Sequence, residues 1–382
     1  MPNLQKKICI IINVDWFALS HFKHYLLTLV SSGNDVTLIT ADTGRLSELS
    51  DLGLTVVKLD LDRGYSGFIN EIKQFNLFLG ILRNIRPDAL ELITIKPVIY
   101  GGLCAMLLGL KGILFYMSGL GSQFTSSKLS GRVKGLILLN LYRILMVGAA
   151  KKVIVENNDD YTLFLKQVGV KPKNLIKLTG VGIDLKKFSP PSIIKKDKVS
   201  VVMVSRLLHD KGVMEFYHAA KKITATHENT SFHLVGGIDP TNPASLTTSE
   251  VDALCRDPAI KLHGQLNDIN IFLKTQDIFV LPSYREGFPR AIMEASAMGI
   301  PVITTDVVGC RDAVVAKYTG LLCPPRDAAL LISAIESLIV DKKLRSRLGD
   351  GGRRHAVNNF DERIISKKHL ETLEEFFCIE RL

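Results

Sequence analysis

Short apolar runs alternate along this chain with stretches of helical spacing. Strands are predicted at Lys7–Val14, Val36–Ile39, Val56–Leu59, Ala89–Thr94, Ile113–Met117, Lys152–Val155 and Leu175–Leu178. Between them, Leu19–Ser31, Phe68–Arg83, Val98–Leu110, Lys134–Val147 and Asp159–Gln167 read as helices. Ser189–Lys198, with its prolines and lysines, reads as a linker. Beyond it the alternation restarts, with strands at Val199–Val204, Phe232–Val235, Ile260–Leu262, Asp277–Leu281, Pro301–Ile303 and Gly320–Leu322. Helices are expected at Val213–Thr226, Ala328–Val340 and Lys343–Asn358. The last stretch, Asp361–Leu382, is an amphipathic helix with no strand after it. Such alternation predicts doubly wound parallel sheets of the α/β class. With 382 residues the chain is too long for one typical core, so two domains are expected, 1–188 and 189–360.

The densest chemistry lies in Tyr284-Arg285-Glu286-Gly287-Phe288-Pro289-Arg290-Ala291-Ile292-Met293-Glu294. The parse is strand, turn, helix, with Pro289 in the first helical turn and Gly299 just past the helix end. Glu286 then lies at the carboxyl end of a parallel strand, where open α/β sheets bind ligands. The helix start beside it offers unpaired N–H groups and a positive dipole end, an anion site. A carboxylate beside an anion site suits a ligand carrying both hydroxyls and phosphates. Arg206 and Lys211 follow the first strand of the second half, where a loop can aim a guanidinium fork and an ammonium at one phosphate.

Charge narrows the partners. Residues 1–190 hold 23 Lys and Arg against 14 Asp and Glu, a net +9, whereas 191–382 hold 25 against 24. Residues 92–155 contain no carboxylate and carry Lys96, Lys111, Lys128, Arg132, Lys134, Arg143, Lys151 and Lys152. Nucleic acid, an anionic membrane or a phosphate-bearing substrate each fits such a tract. An aromatic content of 7% does not supply the stacking residues that nucleic-acid binding needs, so nucleic acid is not expected as a partner. Six scattered cysteines with no C-x-x-C suit a reducing cytosol. No secretory signal is visible, and the longest apolar stretch, Pro97–Leu110, is shorter than a bilayer span, so a soluble or peripheral protein is expected. The loop after the first strand lacks the glycine-rich dinucleotide fingerprint, and no P-loop motif occurs.

Arg206 with Lys211, then Glu-Gly-Phe-Pro at 286–289 and Glu294 eight positions after Glu286, resemble family 4 of the retaining glycosyltransferases, nucleotide-sugar enzymes of the GT-B fold. Gly180-Val181-Gly182-Ile183-Asp184 with Phe188 and Pro190, and Gly299-Ile300-Pro301-Val302, resemble the same family. The resemblance covers nearly the whole chain. It implies two Rossmann-like domains facing across a cleft, with helix 361–382 packed back onto the first. It implies that Arg206 and Lys211 grip a diphosphate, helped by backbone N–H groups around Phe288–Arg290, with Gly287, Phe288, Pro289 and Arg290 forming the donor-binding segment. Glu286 would accept from the transferred sugar's hydroxyls and Glu294 from the ribose, with the base near Gly264, Gln265 and Leu266. No metal or other cofactor is expected, since Arg206, Lys211 and N–H dipoles can carry the leaving group's charge. Asp60-Leu61-Asp62 reads as a loop end.

The first half resembles the bacterial subgroup that extends undecaprenyl-diphosphate-linked sugars for O-antigen, capsule or lipid-linked glycans. The resembling segments are 15–21, 94–101 and 116–124, and the acceptor-side candidates are Asp15, His21, Lys96, Gly119 and Gly121. The resulting expectation is transfer of a hexose or N-acetylhexosamine from a UDP-sugar to a lipid-linked sugar. The basic first domain would be held at the cytoplasmic face of the inner membrane. Three other readings stay open here: a hydrolase with paired carboxylates, a UDP-sugar 2-epimerase of the same fold, and a non-catalytic membrane-binding scaffold. A structural Arg290–Glu294 ion pair at i, i+4 is the plain alternative for Glu294.

Overall fold

The computed structural model describes residues 5–59, 67–120, 129–191, 198–240 and 242–379. The chain divides into two compact units, Met1–Val181 with Glu362–Leu382, and Gly182–Asp361.

The first unit contains β1 (Lys7–Val14), α1 (Asp15–Phe17), α2 (Lys23–Ser31), β2 (Asp35–Ala41), α3 (Leu46–Ser50), β3 (Thr55–Lys58), α4 (Phe68–Ile85) and β4 (Ala89–Ile93). It continues with α5 (Ile95–Leu107), β5 (Ile113–Met117), α6 (Leu129–Met146), β6 (Lys151–Val155), α7 (Asn158–Leu163) and β7 (Leu175–Lys177). Its sheet runs β3-β2-β1-β4-β5-β6-β7, and every pairing is parallel. Alternate residues of β1 feed two cores. Cys9 and Ile11 pack with Phe78 of α4, Val98 of α5 and Tyr142 of α6, whereas Ile8, Ile10 and Ile12 pack with Leu26 of α2 and Leu373. Period-two alternation in a strand covered on both faces produces this division.

The second unit contains β8 (Val199–Val204), α8 (Val213–Thr224), β9 (Thr230–Val235), α9 (Thr248–Arg256), β10 (Lys261–Leu262), α10 (Ile269–Leu273) and β11 (Ile278–Leu281). It continues with α11 (Arg290–Ala297), β12 (Val302–Thr305), α12 (Cys310–Ala313), β13 (Gly320–Cys323), α13 (Ala328–Val340) and α14 (Lys342–Asn359). Its sheet order is β10-β9-β8-β11-β12-β13, again all parallel. The boundary falls at Val181/Gly182 rather than at 188/189. The reason is that Ile183 and Phe188 are buried in the second unit's core and the Ile183 N–H donates to the Phe360 carbonyl at 2.8 Å.

The chain then returns to the first unit as α15 (Glu362–Ile379), which packs along α2. Glu91, in the middle of β4, is fully buried and accepts 2.7 Å hydrogen bonds from the Tyr25 hydroxyl and from His369 Nε2. The Tyr25 and His369 rings stack 3.7 Å apart. Ser366 bonds His24 Nδ1 at 3.0 Å, and the buried Lys152 pairs with Glu375. An amphipathic helix with no strand of its own is thus fixed by polar contacts as well as by Leu373 and Phe376.

Element ends differ from expectation where backbone geometry, invisible in the apolar pattern, decides. Helix α5 begins at Ile95 rather than Val98, because Pro97 sits in the first turn where its missing N–H costs nothing. It ends by Leu108, ahead of the left-handed Gly109. A π-helical turn, Ala18–Phe22, separates α1 from α2. Helix α9 follows a reciprocal Thr247–Glu250 capping box, a T-x-x-E signal present in the sequence. Expectations for 60–66 and 192–197 lie outside the described residues.

Glu91→Ala removes the shared acceptor of two buried donors. It should destabilise the first unit by about 2–4 kcal/mol, read as a lower unfolding midpoint with weakened amide protection of α15.

Candidate functional site

In the second sheet the chain order reverses between β8 and β11, so the loops leaving those two strands lie at the topological switch point where open α/β sheets receive ligands. The loop after β8 carries Arg206 and Lys211, and the loop after β11 carries Glu286. Lys211 Nζ donates to both oxygens of Glu286 at 2.6 Å, and the buried Ser283 hydroxyl donates to Glu286 Oε1 at 2.6 Å. Both charged side chains are largely shielded, at 19% and 11% exposure. In such a setting charge-assisted bonds are strong, and each charge would be costly alone.

Three close backbone approaches hold this arrangement. Lys211 ends a 3-10 turn, His209–Lys211, and Gly212 follows with φ of +74°. A Cβ on Gly212 would lie 2.2 Å from the Pro282 carbonyl oxygen. Tyr284 N–H donates to the Asp210 carbonyl at 2.9 Å, joining the two loops directly. Beyond β12, Gly309 has φ of +80°, and a Cβ there would lie 2.4 Å from the Gly287 carbonyl oxygen and 2.6 Å from that of Glu286. Glu286 N–H bonds the Val308 carbonyl at 3.0 Å. Only glycine combines that φ with that space. Tyr284 is braced by its bond to Glu215 and by Arg326 4.5 Å over its ring. Burial, then the bond to Glu215, push its hydroxyl up to about 12. Cys310, buried beneath the Glu286 loop, is pushed up to about 12 by burial and next by the Glu286 charge, which leaves an unreactive thiol.

Arg206 stands apart from this pair. Its Nη1 lies 2.5 Å from Asp239 Oδ2, and the guanidinium is half exposed. Gly236, with φ of +149°, packs so closely that a Cβ would lie 1.7 Å from the Ser205 carbonyl oxygen. Gly264 (φ of +66°) accepts from the Gly236 N–H at 2.8 Å, which sets Gly264, Gln265 and Leu266 beside the β9 loop. Helix α11 starts at Arg290, with Pro289 as its N-cap rather than inside its first turn. Pro289 offers no capping side chain, so no side chain of the cap covers the first N–H groups of the helix, of which that of Ile292 donates to the Pro289 carbonyl at 3.0 Å. Glu294 is bonded by Arg290 Nε at 2.8 Å, the i, i+4 pair that the spacing allows. The sequence-named donor residues thus line one edge of one sheet, with Lys211 and Glu286 in contact and Arg206 on a different carboxylate.

The first sheet has its own reversal between β1 and β4. Asp15 follows β1 and is fully buried. Its carboxylate accepts from the Thr43 hydroxyl and from the N–H groups of Trp16, Thr43 and Arg45. Burial pushes its pKa up, but the bonds from Thr43, Arg45 and Trp16 outweigh it and hold the group below the ordinary carboxylate value. Asp15 therefore organises the loop after β2. His21 lies in the π-helical turn, bonded to Ser20 at 2.7 Å with the Phe17 ring 4.2 Å away. Lys96 pairs with Glu71 at 3.3 Å, and Tyr100 bonds the same carboxylate. Gly119 has φ of +121°; Gly121 lies outside the described residues.

Sequence reasoning passed over Thr94, between β4 and α5. It holds φ of +76° and ψ of 164°, an unusual backbone for a β-branched residue, and strain of this kind gathers at functional sites. Its hydroxyl and the side-chain amide oxygen of Asn13, one position beyond the paired Ile93 and Ile12, are buried without hydrogen-bond partners. A backbone outlier of this type leaves no trace in residue type.

Two units, each a parallel sheet covered by helices, with charged loops gathered at the second unit's strand ends, have the two-domain architecture of the GT-B fold. Residues 7–157 match the model of the family described as glycosyl transferase 4-like, and residues 185–355 match that of glycosyl transferases group 1. The chain belongs to the family 4 GT-B glycosyltransferases.

The chain is 29% identical over 364 residues to an N,N'-diacetylbacillosaminyl-diphospho-undecaprenol alpha-1,3-N-acetylgalactosaminyltransferase of Campylobacter jejuni, covering 92% of this chain and 94% of that one. It is 26% identical to a UDP-Gal:alpha-D-GlcNAc-diphosphoundecaprenol alpha-1,3-galactosyltransferase of Escherichia coli, covering 86% and 85%. Among solved structures it resembles sucrose-phosphate synthase of Thermosynechococcus elongatus with a TM-score of 0.80 at 20% identity, over 98% of this chain and 100% of that one.

Gly309→Ala places a methyl group against two carbonyl oxygens and should displace the Glu286 loop. Transfer should fall about tenfold or more and stability by about 1–3 kcal/mol, measured by initial rates and thermal unfolding. Gly33→Ala, also at positive φ but with open space around it, should lower stability only and leave transfer intact.

Proposed function

We propose that this glycosyltransferase moves a hexose or N-acetylhexosamine from a UDP-sugar to a sugar carried on undecaprenyl diphosphate, with retention of configuration and without a metal ion. The observation that carries the donor half is the shielded Lys211–Glu286 pair beside the uncapped start of α11. Cleaving the bond between the sugar's anomeric carbon and the diphosphate oxygen leaves negative charge on the phosphate. An ammonium and unpaired N–H dipoles already in place stabilise that charge as it develops. Lys211 takes this role, with Arg206 moving from Asp239 to share it. Glu286, oriented by Ser283, accepts from the hydroxyls of the transferred sugar, and Glu294 with Arg290 acts on the ribose side. The base lies along Gly264–Leu266.

The acceptor half is supported by the two bacterial relatives, both named as enzymes acting on sugars linked to undecaprenyl diphosphate. Both are also named alpha-1,3-transferases. A UDP-hexose of this kind carries its sugar α-linked, so an α product means retention. Asp15, His21, Lys96, Gly119 and Gly121 are the acceptor-side residues of this reading, and the basic first unit suits an anionic cytoplasmic membrane face. Among the described residues no helix is long and apolar enough to cross a membrane.

The test is a screen of radiolabelled nucleotide sugars against undecaprenyl-diphosphate-linked N-acetylhexosamine. Transfer from one UDP-sugar is expected, with the product anomer read by NMR; an inverted product or transfer from no donor by folded protein would refute the reading. Lys211→Ala and Glu286→Gln should each lower kcat by roughly 10²–10³-fold with unchanged circular dichroism. Rates should be the same before and after EDTA, whereas a loss restored by a divalent ion would overturn the metal-free assignment.

A further inference from the structure

Helices α4, α5 and α6 cover one face of the first sheet, and α2, α3 and α15 the other. The outward sides of these two layers differ sharply. Of the eleven large apolar side chains that the first unit exposes among its described residues, nine lie on α4, α5 or α6 or directly after α6. The opposite layer exposes only Leu27 and Ile364 among those described. The concentration is greatest on α6, which has two apolar stripes. Leu138, Tyr142 and Leu145 face the core, whereas Val133, Leu136, Ile137 and Ile144 recur at helical spacing on the solvent side. Leu136 and Ile137 are 61% and 62% exposed. A monomer's helix ordinarily carries polar residues there.

Charge selects the occupant. The exposed apolar side chains of α6 are interspersed with the exposed cations Lys134 and Arg143, and no carboxylate occurs anywhere from 92 to 155. A second copy packed face to face on the same patch would set cations against cations, since a two-fold interface joins a surface to itself. An anionic bilayer meets both demands, offering hydrocarbon to the leucines and isoleucines and lipid phosphates to the cations.

We propose that the solvent-side stripe of α6 inserts into the interfacial region of an anionic lipid leaflet. The helix would then lie in the plane of the membrane, with Lys134 and Arg143 at headgroup level. This deepens the reading above, because it says how an enzyme with a lipid-borne acceptor reaches it, yet it requires neither donor nor acceptor to be observed. Attachment would then have an apolar, salt-resistant part besides the electrostatic one that a net charge alone provides.

The test uses the full chain and sedimentation with vesicles of phosphatidylglycerol and phosphatidylethanolamine, in low and in high salt. The wild type should bind and keep part of its binding in high salt. The double variant Leu136→Ser/Ile137→Ser should bind about tenfold or more weakly. Leu27→Ser/Ile364→Ser, on the opposite layer, should bind as the wild type does. Circular dichroism of each variant reports folding, and Leu136→Trp, with fluorescence quenched by lipids brominated along their chains, reads insertion without removing apolar area. No binding by the wild type would overturn the proposal. So would unchanged binding by the α6 variant, no quenching, or a wild-type dimer that the α6 variant dissolves. If vesicle binding behaves as expected while no sugar is transferred, the insertion stands and the transferase reading of the acceptor falls.

Discussion

The second unit is organised around one ion pair. Lys211 and Glu286 come from loops 75 positions apart in sequence, and neither could be left charged in so shielded a place without the other. Everything nearby serves to bring those loops together. Gly212 lets the chain pass against Pro282, Tyr284 ties to Asp210, and Gly309 lets the next loop support Glu286 from behind. The pair satisfies each partner while placing an ammonium and a carboxylate at the carboxyl ends of the neighbouring strands β8 and β11. A polyol diphosphate is a ligand that can address both, taking over the ammonium with its phosphate and the carboxylate with its hydroxyls.

The first unit depends on a different buried carboxylate. Glu91 sits in the central strand region, where an unpaired charge would be prohibitive, and its two donors come from helices at opposite ends of the chain. The polar task of α15 is therefore specific. Apolar contacts alone would let an amphipathic helix slide along α2, whereas the His369 ring must stack on Tyr25 and still reach Glu91. Asp15 works in a similar way on a smaller scale, gathering four donors to fix a loop that the apolar pattern does not specify.

What was legible in the sequence follows from these facts. Strands such as Lys7–Val14, Ile113–Met117 and Val199–Val204 coincide with their apolar runs, because strands buried on both faces are built mainly of apolar residues. The gathering of Lys211, Glu286 and Glu294 near one sheet edge was legible because their chemistry is unusual and their strand-helix context is short-range. The environments of residues in the first unit were less so. Asp15 has the residue type of a ligand contact but the environment of a loop organiser, and Thr94 has an ordinary residue type in an unusual backbone. Arg206 showed its place but not its partner, since Asp239 lies on the next strand's loop. Close approaches at Gly212, Gly236 and Gly309 are set by what the folded chain brings near, and no local pattern encodes them.

The return of α15 also bears on how the protein is made. The second unit is continuous in the chain, from Gly182 to Asp361, while the first is closed by residues that follow it. During synthesis the second unit can therefore complete its core while the first still lacks its last helix. Until residues near 369 leave the ribosome, Glu91 has only one of its two donors and the apolar face of α2 has no cover. The unit made first is thus finished last, and a nascent chain stalled short of its end would present that open face to chaperones.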